Sequence, residues 1–309
     1  MNGEFVLPPV PDYRFPGFSD SCSVVVGGAS GGVGTAVVQL LVEAGSTVVM
    51  IDWNEDRTAH LAAALDHPES LVCVLADITT DEGLREMESA IGSAARPVRH
   101  LVNVVGGVSH DGIGHFLDLE PEQWARAVAT NVTYALRTSQ IAAQHMISHG
   151  GGAIANLSVA DAARAMPWFS FYGATRSALD SLTRTMAVEL GPFGIRANTV
   201  SWGLINSPRM HPGHTSSGRS ERETIPLGRR GSVSDVALAV MYMLSDLAGY
   251  VSGQNLAVDG GLALRGAHYT GAANTPVFVE SESTRNALGQ RFEELVRRTD
   301  QGHRSSPLR

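Results

Sequence analysis

The stretch Ser23-Val-Val-Val-Gly-Gly-Ala-Ser-Gly-Gly-Val-Gly34, continuing into Thr35-Ala-Val-Val-Gln-Leu-Leu-Val42, constrains this chain more than any other. The apolar run reads as a buried strand, the glycines as a turn, and the spaced apolar residues after them as a helix. Glycine has no Cβ, so Gly28, Gly32 and Gly34 let the backbone turn tightly and let a ligand approach the main chain. The free N–H groups and positive dipole end of the following helix suit a pyrophosphate. Eighteen residues after Gly34, the strand Ser46-Thr-Val-Val-Met-Ile-Asp52 ends in a carboxylate. An acid at that distance accepts hydrogen bonds from ribose hydroxyls and repels a 2′-phosphate. Strand, turn, helix, strand and acid occur in the order a dinucleotide site requires, for NAD rather than NADP. The glycine spacing is G-x-x-x-G-x-G in place of G-x-G-x-x-G.

With 309 residues, 43% apolar and 17% charged, the chain is expected to be soluble and globular, with one large domain. It has no run of 18 apolar residues, and its first residues lack a basic segment followed by an apolar core. Neither a membrane span nor a secretory signal is expected. A net charge of −8 argues against a nucleic-acid surface. Cys22 and Cys73 fall on predicted neighbouring buried strands and read as core residues in a reducing cytoplasm.

Residues 1–20 carry Pro8, Pro9, Pro11 and Pro16, a composition that favours an extended arm. From Cys22 onward, short apolar runs alternate with helical periods, which predicts βαβ units and a parallel sheet. Helices are expected over Glu55 to Leu65, from a Thr80 cap to about Ala95, and over Gln123 to Ser148, Tyr172 to Leu190 and Ser234 to Leu247. Strands are expected over Leu71 to Ala76, Val98 to Val105, Gly152 to Leu157, Ile195 to Val200 and Asn255 to Val258. Ligands of such sheets bind beyond the carboxyl ends of the strands. The candidates are therefore Asp77, Asn103 to Val108, Ser158 to Ala160 and Ser201 to Asn206.

Tyr172-Gly-Ala-Thr-Arg176 opens a helix, and Ser158 stands fourteen positions before the tyrosine. A phenol and a cation four residues apart share a helix face, and a fixed positive charge favours an ionised phenol. Such a pair can exchange a proton with a substrate oxygen that Ser158 holds by a hydrogen bond. On this pair alone, a packed tyrosine beside a solvated arginine is the simpler reading.

Together with its ordered landmarks, residues 22–261 resemble the short-chain dehydrogenase/reductase family. Gly27-Gly-Ala-Ser-Gly-Gly-Val-Gly34 is similar to its T-G-x-x-x-G-x-G, and Asn103-Val-Val-Gly106 to its N-N-A-G. Leu190-Gly-Pro-Phe-Gly-Ile-Arg-Ala-Asn198, Ile225-Pro-Leu-Gly-Arg229 and Val258-Asp-Gly-Gly261 follow in the family's order. The resemblance implies an α/β, doubly wound parallel sheet (a Rossmann fold) over residues 21–261. An N-terminal arm, 1–20, and a C-terminal extension, 262–309, flank it. It implies Asn131, Ser158, Tyr172 and Arg176 as the catalytic set. It also implies an NAD(H) site formed by Gly28, Ser30, Gly31, Gly32, Val33, Asp52, Trp53, Asp77, Ile78, Asn103, Val104, Gly106, Tyr172, Arg176, Gly203 and Ile205. Asn131 would help hold a proton-relay water.

Two departures bear on function. The family's Y-x-x-x-K is here Tyr172-x-x-x-Arg176, and arginine cannot release a proton at ordinary pH. The family's P-G after the sixth strand is Trp202-Gly203. Two readings follow: a working NAD(H)-dependent oxidoreductase with an adjusted site, or an NAD-binding relative without net redox turnover (an isomerase, a dehydratase or a scaffold). Retention of Ser158, Tyr172 and Asn131 favours the first.

The expected substrate side, Val108, His110, Val159, Ala160, Trp168, Phe169, Trp202, Leu204 and Met210, is apolar and aromatic-rimmed. It suits a hydrophobic ketone or secondary alcohol, cyclic or from secondary metabolism. Asn206 to Glu223 reads as a lid. No metal is expected at His110, His115, His145 or His149, which lack a third ligand at suitable spacing. Past Gly261, Ala267 to Pro276 reads as irregular and residues 302–309 as disordered. Thr284 to Arg298 reads as an amphipathic helix with Leu288, Phe292, Leu295 and Val296 on one side. In the family, the helices near Trp124 to Ile147 and Tyr172 to Leu190 pair between subunits, which implies a homodimer or homotetramer.

Overall fold

Seven strands run in one direction through a single sheet in a computed structural model, which describes residues 15–29, 31–108, 112–207, 223–266, 269–270, 275–276 and 282–304. The strands are β1 (Cys22–Val26), β2 (Thr47–Asp52), β3 (Leu71–Leu75), β4 (Val98–Asn103), β5 (Gly152–Val159), β6 (Ile195–Trp202) and β7 (Asn255–Val258). Their order is β3-β2-β1-β4-β5-β6-β7. The chain direction reverses across the sheet between β1 and β4, and that switch point is where a ligand crevice opens in such sheets.

Alternation along each strand sends side chains to two cores. Val25, Met50, Val102 and Leu157 pack with α1 (Val33–Glu43), α2 (Glu55–Ala64) and a helix at Val233–Leu244. Val24, Ile51, Leu101 and Ile154 pack with α3 (Asp81–Gly92), α5 (Tyr134–Ser148) and α6 (Ser170–Leu190). Burying each large aliphatic side chain contributes about 1.5–3 kcal/mol. Polar groups pin the same layers. Asn103 and Asn156 are register partners on β4 and β5, and Asn103 Nδ2 donates to Asn156 Oδ1 at 2.8 Å. Asn156 Nδ2 donates to Thr183 Oγ1 on α6, and Thr138 Oγ1 on α5 donates to Asn103 Oδ1. Every member of this buried set has a partner, so it holds both helices in one position on the sheet.

Caps define the helix ends. Thr80 Oγ1 accepts from Gly83 N at 3.0 Å, as expected, and starts α3. Ser232 and Asp235 form a reciprocal capping box that starts α7, the Val233–Leu244 helix, one residue before the expected Ser234. At the other end of α7, Arg196 donates to the carbonyls of Met243, Leu244 and Ser245, which the helix leaves unpaired.

Several expectations are corrected. The predicted helix over Gln123 to Ser148 is two helices, α4 (Pro121–Val128) and α5, joined by a π turn at Ala129–Thr133. Cys22 is buried, but Cys73 is exposed and does not adjoin it, because β3 is the sheet's edge and β2 lies between them. The strand expected over Gly152 to Leu157 continues to Val159, and that expected over Ile195 to Val200 continues to Trp202.

The chain divides into two compact units, Met1–His211 with Gly231–Asp259, and Pro212–Arg230 with Gly260–Arg309. In the second unit, Tyr269–Thr270 pairs antiparallel with Thr275–Pro276 inside the stretch expected to be irregular. Helix α8 spans Glu282–Arg304, so residues 302–304 are helical and not disordered. Leu288 and Val296 are exposed on it, Phe292 is half-buried, and the Leu295 side chain lies outside the described set. Among the described residues no helix is long and apolar enough to cross a membrane. In the first unit, Phe18 is fully buried near the end of the expected arm, with its ring 4.7 Å from that of His100.

His100 gives the fold an acid sensitivity. Burial, then the charges of Arg196 and Arg99, lower its pKa from 6.5 to about 3. The unfolded chain therefore takes up this proton first. Stability from the neutral ring is complete above pH 6.5 and is lost as pH falls toward 3. Between pH 6.5 and pH 5 the loss should be about 2 kcal/mol, at roughly 1.4 kcal/mol per pH unit. Urea unfolding of His100→Gln should show a correspondingly shallower acid decline, and an unchanged decline would reject the assignment.

Candidate functional site

The turn after β1 is tied on both sides. Gly27 N donates to Ile51 O at 2.7 Å. Thr35 Oγ1 donates to Gly28 O at 3.0 Å and accepts from Gly31 N at 2.9 Å. The left-handed conformations fall on Gly27 (φ +90°) and Gly31 (φ +75°), which corrects the expectation that Gly28, Gly32 and Gly34 make the turn. Gly28 and Gly34 answer to space instead. A Cβ on Gly34 would lie 2.3 Å from Gly27 O, and one on Gly28 would lie 2.5 Å from Met50 Cγ. Gly32 starts α1 without a side-chain cap, so the first-turn N–H groups beginning at Val33 have no capping acceptor there.

Asp52 ties β2 to this turn. Its Oδ2 accepts from Ala29 N at 2.9 Å and its Oδ1 from Asn54 N at 3.1 Å. A carboxylate oxygen has a second lone pair, so these bonds leave acceptor capacity. Trp53 beside it is 73% exposed. Asp77 is exposed and closes a local turn, accepting from Thr79 N and Oγ1, while Ile78 is buried. Asn103 differs from the expectation for a nucleotide-contacting side chain. It is fully buried, and its amide is committed to Thr138, Ser139 and Asn156 within the fold. Val104 is buried next to it.

Beyond β4 the chain passes through Gly106 (φ +134°) and Gly107 (φ +152°). A Cβ on Gly106 would lie 2.1 Å from Arg176 Nη2 and 2.6 Å from Asn131 Oδ1. Asn131, in the π turn, clamps Gly107. Its Oδ1 accepts from Gly107 N at 3.0 Å, and its Nδ2 donates to Gly107 O at 3.2 Å and Ala127 O at 3.0 Å. Tyr134 Oη donates to Val105 O at 2.6 Å, and burial pushes that phenol up. Tyr134 is thereby locked out of proton exchange.

Arg176 is fully buried one helical turn beyond Tyr172, with its Cζ 5.2 Å from the tyrosine ring centroid. Its Nη1 donates to Leu157 O at 2.8 Å, while Nε and Nη2 have no partner among the described residues. The solvated arginine of the simpler reading is thus excluded.

Tyr172 lines a cleft of about 310 Å³ with Gly106, Gly107, Val108 and Asn131. Gly112, Phe171 and, from α4 and the π turn, Gln123, Arg126, Ala127 and Thr130 complete its walls. Of these, none was expected from the sequence. The signal available was Gln123, Ala127 and Thr130 at spacings of four and three, on one helix face.

Ser158 is not in the cleft, which corrects the expected pairing with Tyr172. It is 0% exposed, and its Oγ donates to Arg176 O at 3.5 Å. Asp180 lies below: burial raises its carboxyl, and the Ser158 hydroxyl is the strongest of the groups opposing that rise.

The expected substrate residues stand in several places relative to this one cleft. Val108 is in the cleft, while Val159, Ala160, Trp168, Phe169, Trp202 and Leu204 do not line it. Val159 and Ala160 are buried, Trp202 packs on the core beside α1 and α7, and Leu204 is exposed. Trp168 is 57% exposed at φ +70°, with its carbonyl bonded to Gly114 N and its ring edge-on to His115. Gly203 sits against Asp259, and Ile205 pairs with Gly231. Ser30, His110, Met210 and nearly all of the expected lid lie outside the described residues.

Residues 28–263 match the family described as enoyl-(acyl carrier protein) reductase. An NAD-dependent glycerol dehydrogenase of Listeria innocua is 29% identical over 80% of this chain and 95% of its own. A 1-cyclohexenylcarbonyl-CoA reductase of Streptomyces collinus is 30% identical over 85% of this chain and 94% of its own. Among solved structures, a short-chain type dehydrogenase/reductase from Mycobacterium ulcerans has a TM-score of 0.74 at 31% identity. It covers 82% of this chain and 92% of that one.

The crowding at Gly106 yields a test of the site. Gly106→Ala should displace Arg176 and Asn131 and weaken dinucleotide binding by at least about tenfold, or 1.4 kcal/mol. Calorimetry with NADH reads this, alongside circular dichroism to show a retained fold. Parental affinity would disprove the contact's importance.

Proposed function

The chain belongs to the short-chain dehydrogenase/reductase family, and from that premise we propose that it interconverts a hydrophobic ketone and its secondary alcohol with NAD(H). The observation that carries this is the Tyr172 phenol in the cleft, with a buried guanidinium beneath its ring. Relatives bearing reductase and dehydrogenase names support the reaction type.

The residues fit a dinucleotide. The orphaned Nε and Nη2 of Arg176 want acceptors, which ribose hydroxyls provide. A Cβ on Gly31 or Gly107 would meet nothing within 4 Å, so the backbone there is open to a ligand. Gly28, Gly32 and Val33 would hold the pyrophosphate and Asp52 the adenosine ribose. Trp53, Asp77 and Ile78 would flank the adenine. The fixed carboxylate of Asp52 favours NAD over NADP. The NAD dependence named for the Listeria innocua relative agrees with this.

When bound, the nicotinamide supplies or accepts the hydride. In reduction, Tyr172 gives its proton to the substrate oxygen; in oxidation it takes the proton back. Ketone, NADH and one proton balance alcohol and NAD⁺. Arg176 stands in place of the family's lysine and holds a positive charge against the Tyr172 ring. It cannot pass a proton itself, so the proton that returns to Tyr172 would have to come from a group other than the Arg176 side chain. Val108 and Phe171 suit an apolar substrate body. Exposed apolar residues on α5 and α6, Ile147 and Val188, support a homodimer or homotetramer through those helices. The free thiols Cys22 and Cys73 suit a reducing cytoplasm.

A second reading, an NAD-binding relative without net redox turnover, is favoured by the Ser158 hydroxyl lying outside the cleft.

Tyr172→Phe should lower NADH-dependent reduction of cyclic and aryl ketones by about 10³-fold without changing NADH binding. Retained turnover would reject the acid/base role. A parent protein that binds NADH yet turns over no ketone or alcohol in the panel would establish the second reading instead. NADPH should bind at least about tenfold more weakly than NADH, and equal affinities would reject the NAD assignment.

A further inference from the structure

A phenol alone fixes neither the angle nor the face of a carbonyl in a cleft; a second donor is needed to orient it. Ser158 does not supply that donor, because its hydroxyl is buried under α6 on the Arg176 carbonyl. Asn131 does not supply it either. Its two amide hydrogens go to Gly107 O and Ala127 O, and its oxygen occupies Gly107 N.

Thr130 is placed differently. It lines the same cleft as Tyr172 and is half-buried. Among the described residues, neither its hydroxyl nor the Tyr172 phenol is committed to a protein partner. Neighbours on an α-helix point about 100° apart, yet both Thr130 and Asn131 reach this cleft. The widened π turn accommodates them, with Tyr134 N closing on Ala129 O five residues back. Such turns recur where a helix carries function.

We infer that Thr130 is the substrate-positioning residue of this cleft, its hydroxyl donating to the same substrate oxygen that Tyr172 protonates. The inference rests on the ketone–alcohol reading above. Thr130 transfers no proton of its own. Its hydrogen bond holds the oxygen while the apolar skeleton lies against Val108 and Phe171.

The test compares Thr130→Val, Thr130→Ser, Ser158→Ala and Tyr172→Phe, with cyclohexanone and acetophenone as probes and NADH as reductant. Thr130→Val should lower kcat/KM by about 10²-fold, with NADH affinity and thermal unfolding near parental. Thr130→Ser should recover most of the loss, and Ser158→Ala should cost far less than Thr130→Val. Parental kcat/KM in Thr130→Val, or a loss in Ser158→Ala as large as in Thr130→Val, would overturn the inference. Tyr172→Phe separates the two levels. If it keeps parental turnover, the redox reading itself fails. If it is silent while Thr130→Val is parental, only the Thr130 role fails. Should the parent turn over neither probe, saturation-transfer NMR of acetophenone with NADH reads the same contact. Weaker binding to Thr130→Val then supports the inference, and equal binding ends it.

Discussion

A guanidinium without access to water is the constraint around which this site is arranged. Removing such an ion from solvent costs several kcal/mol unless neighbouring groups compensate. Among the described residues, the Leu157 carbonyl, the face of the Tyr172 ring and the charge of the nearby Asp180 carboxyl act on it. The space for the guanidinium depends on Gly106 having no side chain, and Gly106 is in turn followed by the residue Asn131 clamps. Two of the guanidinium nitrogens have no acceptor among the described residues, so the protein satisfies this ion only in part.

The direction of β5 explains why the hydroxyl chemistry is distributed as it is. Residues two apart on a strand share a face, so Ser158 follows Asn156, whose amide is already bonded to Thr183 on α6. Ser158 is thereby carried beneath α6, to the Arg176 carbonyl and the neighbourhood of Asp180. Among the described residues, the cleft's second uncommitted hydroxyl beside the Tyr172 phenol is that of Thr130, on the π turn between α4 and α5.

Much of this was readable from short stretches because the forces are local. The unbroken apolar run of Val24 to Val26 against the helical spacing after Val33 is written in the chain, as are the Thr80 cap and the i, i+4 placement of Tyr172 and Arg176. What escaped reading needed a partner distant in sequence. Asn103 looked like a ligand residue until Asn156, Thr138 and Ser139 closed around it. Cys73 looked like core until β3 proved to be the sheet's edge. The π turn has no composition of its own, since Ala129–Thr133 continues the helical pattern on both sides.

The amino-acid order by itself determined the parallel α/β architecture, the glycine turn with its distant acid, and the phenol and cation on one helix. Each of these follows from periodicity, steric freedom or spacing within a few turns of chain. Only the tertiary structure decided which glycines take left-handed backbone and which give room, that Arg176 is buried, and that Ser158 is buried against α6 while Thr130 lines the cleft with Tyr172. Those outcomes depend on what the neighbouring strand or helix presents at each position, and a linear sequence does not carry that information.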